Sequence, residues 1–339
     1  MAHSLSQVEL DTQSDRIERV LAAHRLPVRV AGGTVTPRWV RYTFTVAPGA
    51  RLATIRGLTE ELALALGAPA VRLAREGGAL ALEVPRADPA PVRLLPLLRG
   101  LPALPPATAC LGLAEDGRPL LIRLASPDVA HLLVAGATGS GKTELLRGLA
   151  LSLALTQRQA QVQLLLIDLK RRGLAPLERW PHCLAPVVAE PAAALAWLER
   201  LVAEMERRDR LSQAMPRVVI VVDELAELLA LAGKSAAAAL TRLAQRGREA
   251  GLHLVAGVQK PAAALVGPLL KANFPVRLVG RVASAEDARV ASGLAGSGAE
   301  RLLGRGDFLA VAAGRVIRFQ AAWMAPEDWR SLAAAGQLG

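Results

Sequence analysis

The chain has 339 residues, of which 52% are hydrophobic and 21% charged, enough apolar material for one large or two modest globular domains and too much for a disordered or fibrous chain. Its 41 basic residues exceed its 30 acidic ones by 11, and only five of the basic residues are lysines. An arginine excess of this size points to a polyanionic partner, most simply nucleic acid, although an Arg- and Ala-rich composition with solvated charges gives the same balance.

Residues 1–20 read as a flexible tail, since MAHSLSQVELDTQSD has neither the basic nor the apolar region of a signal peptide. Ile17 to His24 can form a short helix, and VRVAGGTVTPRWVRYTFTVAPG reads as strand, Gly-Gly turn, strand. Ile55, Leu58, Leu62 and Leu66 have helical spacing, with Thr54 or Thr59 able to cap. A hairpin is expected around Gly77 and Gly78. Together these elements predict a small α+β domain over residues 21–90. Prolines at 85, 89, 91, 96, 102, 105 and 106 interrupt regular structure and mark 91–125 as a Pro-rich linker and entry to the next domain. From 126 to 339 continuous apolar strands alternate with helices (HLLVAG, VQLLLIDL, VVIVVDE, LHLVAGVQ and VRLVGRV), the pattern of a parallel α/β sheet covered on both faces. Charges or prolines break every apolar run well before the roughly eighteen residues of a bilayer span, so no membrane insertion of its own is expected. Cys110 and Cys183 match neither a disulfide framework nor a zinc spacing, which fits a cytoplasmic protein.

The densest signal is Gly136-Ala137-Thr138-Gly139-Ser140-Gly141-Lys142-Thr143, which follows an apolar strand and opens a helix. It fits the phosphate-binding loop G-x-x-x-x-G-K-[ST]: glycines let backbone N–H groups wrap the phosphates, and the helix N-terminus adds partial positive charge. Lys142 is expected to reach the β and γ phosphates of ATP, and Thr143 to ligate Mg²⁺. Further on, VVIVVDE is an apolar strand ending in two acids. Asp223 would hold the Mg²⁺ and Glu224 would act as general base on the attacking water. Another strand, Val162 to Leu169, lies between the two motifs in sequence, so their strands are not expected to be sheet neighbours. That insertion and Glu224 predict a RecA-like P-loop ATPase, with Gln259 placed as a polar sensor of the γ phosphate.

These residues, with HLLVAGATGSGKT, LLIDLK, AEMERRDRL, RLAQRGREAGLHLVAGVQKP, LLKANFPVRL and GAERLLGRGDFL in order, resemble the FtsK/SpoIIIE family of double-stranded DNA translocases. The 21–90 region is similar to that family's small alpha domain. The resemblance implies a homo-hexameric ring with DNA in its channel, Arg248 as an arginine finger acting on a neighbour's ATP, and Lys260, Lys271 and Arg289 as DNA-contacting pore residues. The family's QRP is Gln259-Lys260-Pro261 here, its IDPK is Ile167-Asp168-Leu169-Lys170, and Ala285 stands where it carries a basic residue. The family's membrane helices, linker and winged-helix module are not seen in the sequence, so direction is expected to come from a partner, from loading geometry or from a membrane protein, and a membrane or nuclease partner is a candidate. The expected function is therefore an ATP-driven DNA translocase for DNA segregation, transfer or processing. The alternatives are a related ATPase handling a protein cargo in a secretion system, and a nucleotide-controlled DNA-binding scaffold.

Overall fold

A computed structural model describes residues 6–46, 52–76, 79–87, 91–260 and 273–334. The chain divides into two compact units, residues 1–91 with 115–117, and residues 92–114 with 118–339.

The first unit opens with α1 (Gln7–Ala23). The tail expected over residues 1–20 is thus mostly helix, because Ser6 and Glu9 form a reciprocal capping box that starts it ten residues earlier than Ile17. Such a box satisfies two N-terminal N–H groups that would otherwise lack partners. β1 (Val28–Val35) pairs antiparallel with β2 (Trp39–Val46). Gly32-Gly33 is not the turn but an irregularity within β1, where the register shifts between Val30 and Gly32, as a bulge does. The apolar spacing around Leu58 yields two helices, α2 (Leu52–Gly57) and α3 (Thr59–Leu66), and α3 has no side-chain cap. β3 (Arg72–Glu76) and β4 (Ala79–Pro85) complete a sheet of order β1-β2-β4-β3. Gly77 and Gly78, the expected hairpin glycines, lie outside the described residues. Ile17 and Leu21 of α1 pack with Tyr42, Phe44, Ile55, Leu62 and Leu82 in this unit's core.

The proline-rich stretch 91–125 is structured rather than a linker. It contains α4 (Leu94–Arg99), β5 (Thr108–Ala114) and β6 (Pro119–Arg123), and its prolines fall mainly at element ends and in the loops between them. There follow β7 (Leu132–Ala135), α5 (Lys142–Thr156), β8 (Val162–Ile167), α6 (Pro191–Leu211), β9 (Arg217–Val222), α7 (Leu225–Arg246), β10 (Leu252–Val258), β11 (Val276–Gly280), α8 (Ala285–Ser292), β12 (Asp307–Ala312), β13 (Arg315–Ala321) and α9 (Pro326–Ala334). The nine strands form one sheet of order β6-β5-β13-β12-β11-β7-β10-β9-β8.

The run β11-β7-β10-β9-β8 is parallel, whereas β12, β13, β5 and β6 extend it antiparallel. The sheet is therefore mixed, not wholly parallel. Apart from Gln163, Arg217, His253 and Arg277 near their N-terminal ends, the parallel strands are apolar on both faces, because alternate residues serve two cores. Leu133, Leu165, Ile220 and Leu254 pack with α6 and α7, and Val134, Leu164, Val221 and Val255 with α5. As the spacing predicts, β7 and β9 are not neighbours, but the strand between them is β10 rather than β8.

Candidate nucleotide site

The C-terminal ends of β7, β9 and β10 carry the predicted chemistry to one edge of the sheet. β7 leads through Gly136–Gly141 into α5, whose N-cap is Gly141 at φ 98°. A side chain there would strike the main chain of Gly306, so this position accepts only glycine on two counts. Lys142, first in the helix, is only 4% exposed. Its ammonium donates to the main-chain carbonyl of Asp223, lies 3.0 Å from Asp223 Oδ1 and 3.7 Å from Glu224 Oε2. Thr143 Oγ1 donates to the same Asp223 oxygen at 3.0 Å. Residues about eighty positions apart in sequence are thus joined by strand order alone.

Burial raises the Glu224 carboxyl above its ordinary pKa, and the Lys142 charge opposes that rise. The main-chain N–H of Gln259, just past β10, donates to both Glu224 oxygens at 3.1 and 3.3 Å. Gln259 therefore touches Glu224 through its backbone. Among the phosphate-loop residues, Thr138 and Gly139 are exposed and Gly136 is buried. Ser140 is fully buried; its N–H turns back to Ala137, and its carbonyl accepts from Gly306.

The donor set suits a small hard cation. Thr143 and Asp223 bring a hydroxyl and a carboxylate oxygen within 3.0 Å of each other beside the phosphate loop. That pattern fits Mg²⁺, which keeps water and substrate phosphate oxygens in most of its coordination sphere.

The remaining predicted residues are dispersed. Arg248 follows α7 in an exposed turn, at the opposite end of the sheet from Lys142. Arg248 stands just before the N-terminal end of β10 (Leu252–Val258), whereas Gln259 and Glu224 lie at the C-terminal ends of β10 and β9. Lys260 is exposed next to Gln259. Arg289 is exposed on α8 and paired with Glu286 of the same helix. Lys271 lies outside the described residues.

Two contributors were missed by the motif reading. Asp168, 2% exposed at the end of β8, accepts N–H bonds from Lys170, Gly173 and Leu174 at 3.1, 2.7 and 3.0 Å. This folds the loop so that Gly173 sits against Thr143 and Asp223. Arg147 of α5 then holds the Gly173 carbonyl at 2.6 and 2.9 Å. An apolar strand ending in an acid, as in VQLLLIDL, was the available signal.

The FtsK/SpoIIIE family matches residues 103–215 and 209–263, and the FtsK alpha domain matches residues 2–86. DNA translocase FtsK of Sporosarcina ureae is 33% identical over 353 residues, covering 94% of this chain and 45% of the relative. DNA translocase SpoIIIE of Bacillus subtilis is 33% identical over 347 residues, covering 92% and 44%. The chain thus spans less than half the length of these curated relatives. The fold is shared with the pCW3 conjugation coupling protein TcpA in its ATPγS form, at TM-score 0.64 and 19% identity over 96% of this chain and 99% of that one. The cytoplasmic domain of the type VII secretion ATPase EccC from Thermomonospora curvata superposes at TM-score 0.60 with 26% identity, over 73% of this chain and 33% of that one. With its phosphate loop, acid pair, RecA-like motor sheet and N-terminal α+β unit, the chain belongs to the FtsK/SpoIIIE family.

Proposed function

We propose that the protein is the motor of an ATP-driven double-stranded DNA translocase, a homo-hexameric ring that binds DNA without reading its sequence. The observation that carries this is the single site formed by Lys142, Thr143, Asp223 and Glu224 in a chain whose first unit matches the FtsK alpha domain. Lys142 would exchange Asp223 and Glu224 for the β and γ phosphates of ATP. That exchange frees an Asp223 oxygen to join Thr143 in holding Mg²⁺, which supplies charge neutralisation on the phosphates when bound. It also removes the cation that opposes the raised pKa of Glu224, leaving a more basic carboxylate to take a proton from the attacking water.

Gln259 couples this chemistry to Lys260, since its N–H is bound to Glu224 and Lys260 is the next residue. Lys260, Lys271 and Arg289 would meet DNA phosphates, contacts that give affinity without sequence preference. Arg289 has first to leave Glu286. A cytoplasmic location and a partner that orients the ring belong to the same reading. No helix among the described residues is long and apolar enough to cross a membrane.

The test is ATP hydrolysis with and without linear duplex DNA at low salt. Wild type should be stimulated by DNA, and Lys142→Ala and Glu224→Ala should each lose turnover by at least about a hundredfold. Turnover indifferent to DNA but raised by a polypeptide would instead identify a protein cargo. DNA binding with no turnover in wild type would identify a nucleotide-controlled scaffold.

A further inference from the structure

The phosphate loop has two flanks. The flank toward β10 and β9 carries Asp223, Glu224 and Gln259, and so belongs to the metal and the γ phosphate. The opposite flank, toward β11 and β12, carries none of these groups. It is built with care. The carbonyl of Arg281, just past β11, accepts the N–H of Ala137 at 2.8 Å. The N–H groups of Arg305 and Gly306 donate to the carbonyls of Gly139 at 2.9 Å and Ser140 at 2.7 Å. These bonds occupy two carbonyls and one N–H of the loop and fix its course against β11 and β12.

The 303–307 segment that makes these bonds is itself pinned. Asp307 and Arg318 form a buried two-point ion pair at 2.9 and 2.8 Å. Asp307 also accepts from the N–H of Leu303 at 2.9 Å, and Gln320 Nε2 donates to the Arg305 carbonyl at 3.0 Å. Held in this frame, Arg305 has φ 51°, a left-handed conformation that costs an ordinary side chain about 1 kcal/mol and collects at functional sites. Glycine would relieve it, and glycines stand on both sides. The side chain of Arg305 is nevertheless exposed. Arg281 is exposed too, and its guanidinium lies across Gly304: a Cβ on that glycine would be 3.6 Å from Arg281 Nε and 3.0 Å from the Gly139 carbonyl oxygen. Among the described residues no carboxylate pairs with Arg281. A strained arginine and an acid-free arginine therefore border one flank of an anion site.

We propose that Arg281 and Arg305 grip the nucleoside end of the bound nucleotide, its α phosphate and sugar, and so set affinity for ATP and ADP alike rather than the rate of hydrolysis. The inference rests on the nucleotide-site reading above. Contacts made equally in the ground state and the transition state raise KM when lost and leave kcat unchanged.

The test is equilibrium binding of a fluorescent ADP and a fluorescent ATP to the full chain, with tripolyphosphate as competitor. Arg281→Ala and Arg305→Gly should each bind both nucleotides about tenfold more weakly, the scale of one charge-assisted contact, while kcat at saturating ATP stays within about twofold of wild type. Tripolyphosphate affinity should not change. Arg305→Gly removes the positive-φ strain, so its Tm should equal or exceed that of wild type, which separates lost affinity from lost folding. Normal ADP affinity in both variants, with Lys142→Ala having lost it, would overturn the inference and leave the nucleotide site standing. An equal loss of tripolyphosphate binding would also overturn it, by moving the arginines to the β and γ phosphates. Absence of nucleotide binding in wild type would overturn both.

Discussion

Lys142 is almost wholly buried between two carboxylates, an arrangement stable only because each charge has an opposite within ion-pair distance. Removing the lysine leaves two acids at close range, so Lys142→Ala should lose nucleotide affinity and destabilise the site as well. A sharper residue-scale prediction concerns Gly173. A methyl group there would come within 2.5 Å of Thr143 Cγ2 and 3.4 Å of Asp223 Oδ2. Gly173→Ala should displace the hydroxyl and the carboxylate together. A Mg²⁺ titration at fixed ATP should then show a higher metal requirement and kcat/KM lowered by about ten- to a hundredfold, with Tm little changed. The phosphate loop, Asp223 and Glu224 were legible in the sequence because each motif is local and its spacing encodes its own geometry. Asp168 and Gly173 were not, since they act on Thr143 only through the pairing of β8 beside β9. The docking of Gly306 on Ser140 was hidden for the same reason: it depends on a strand joining the far side of the sheet.

At the scale of elements, local signals decided where the reading succeeded. The helix from Lys142 and the five apolar strands of the motor were visible because continuous apolar runs between helices have few other solutions. The start of α1 was equally local, in Ser6 and Glu9, but polar residues along its first turns mask the apolar stripe that Ile17 and Leu21 complete. β13 carries no such continuous run, since Arg315, Arg318 and Gln320 interrupt it, and β12 has only the short run Phe308–Ala312; their place follows from the edge that β11 leaves open. One pair of strands makes a prediction of its own. His131, just before β7, and His253 within β10 are buried, with ring centroids 6.5 Å apart. His131 Nδ1 accepts the N–H of Leu254 at 2.9 Å. His253 Nδ1 donates to the Ala130 carbonyl at 2.9 Å, and its Nε2 faces Arg217 at 3.3 Å. Burial above all pushes both imidazoles down to about 4, against about 6.5 in the unfolded chain. The unfolded state therefore binds more protons between these values. This part of the stability is complete above about pH 6.5 and declines as pH falls toward about 4. Chemical denaturation at pH 7.5, 6 and 5 should show progressively lower stability, and His253→Gln should flatten the slope by about one proton. An unchanged slope in that variant would assign the acid sensitivity to other groups.

At the scale of the whole molecule, the sheet separates the nucleotide site from the arginine that the proposed function assigns to a neighbour's ATP. The phosphate loop and acid pair lie at the C-terminal ends of the parallel strands, while Arg248 leaves α7 at the other end, beyond a helix whose axis is broken at Gly233. Arg248 lines a cavity of about 620 Å³ with Arg208, Asp209 and Arg246, and no described residue of the nucleotide site reaches it. If Arg248 completes catalysis it must do so in another subunit, as a closed head-to-tail ring allows. That requirement distinguishes a ring from independent monomers in one experiment. Arg248→Ala and Lys142→Ala should each be inactive when assayed alone at equal protein concentration. Mixed under assembly conditions, an intact phosphate loop from one variant meets an intact Arg248 from the other at about a quarter of the interfaces of a randomly assembled ring. DNA-stimulated ATP hydrolysis should reappear in the mixture and vanish again on dilution below the assembly concentration. Two inactive variants that stay inactive when co-assembled would overturn the assignment of Arg248 to a neighbour's ATP.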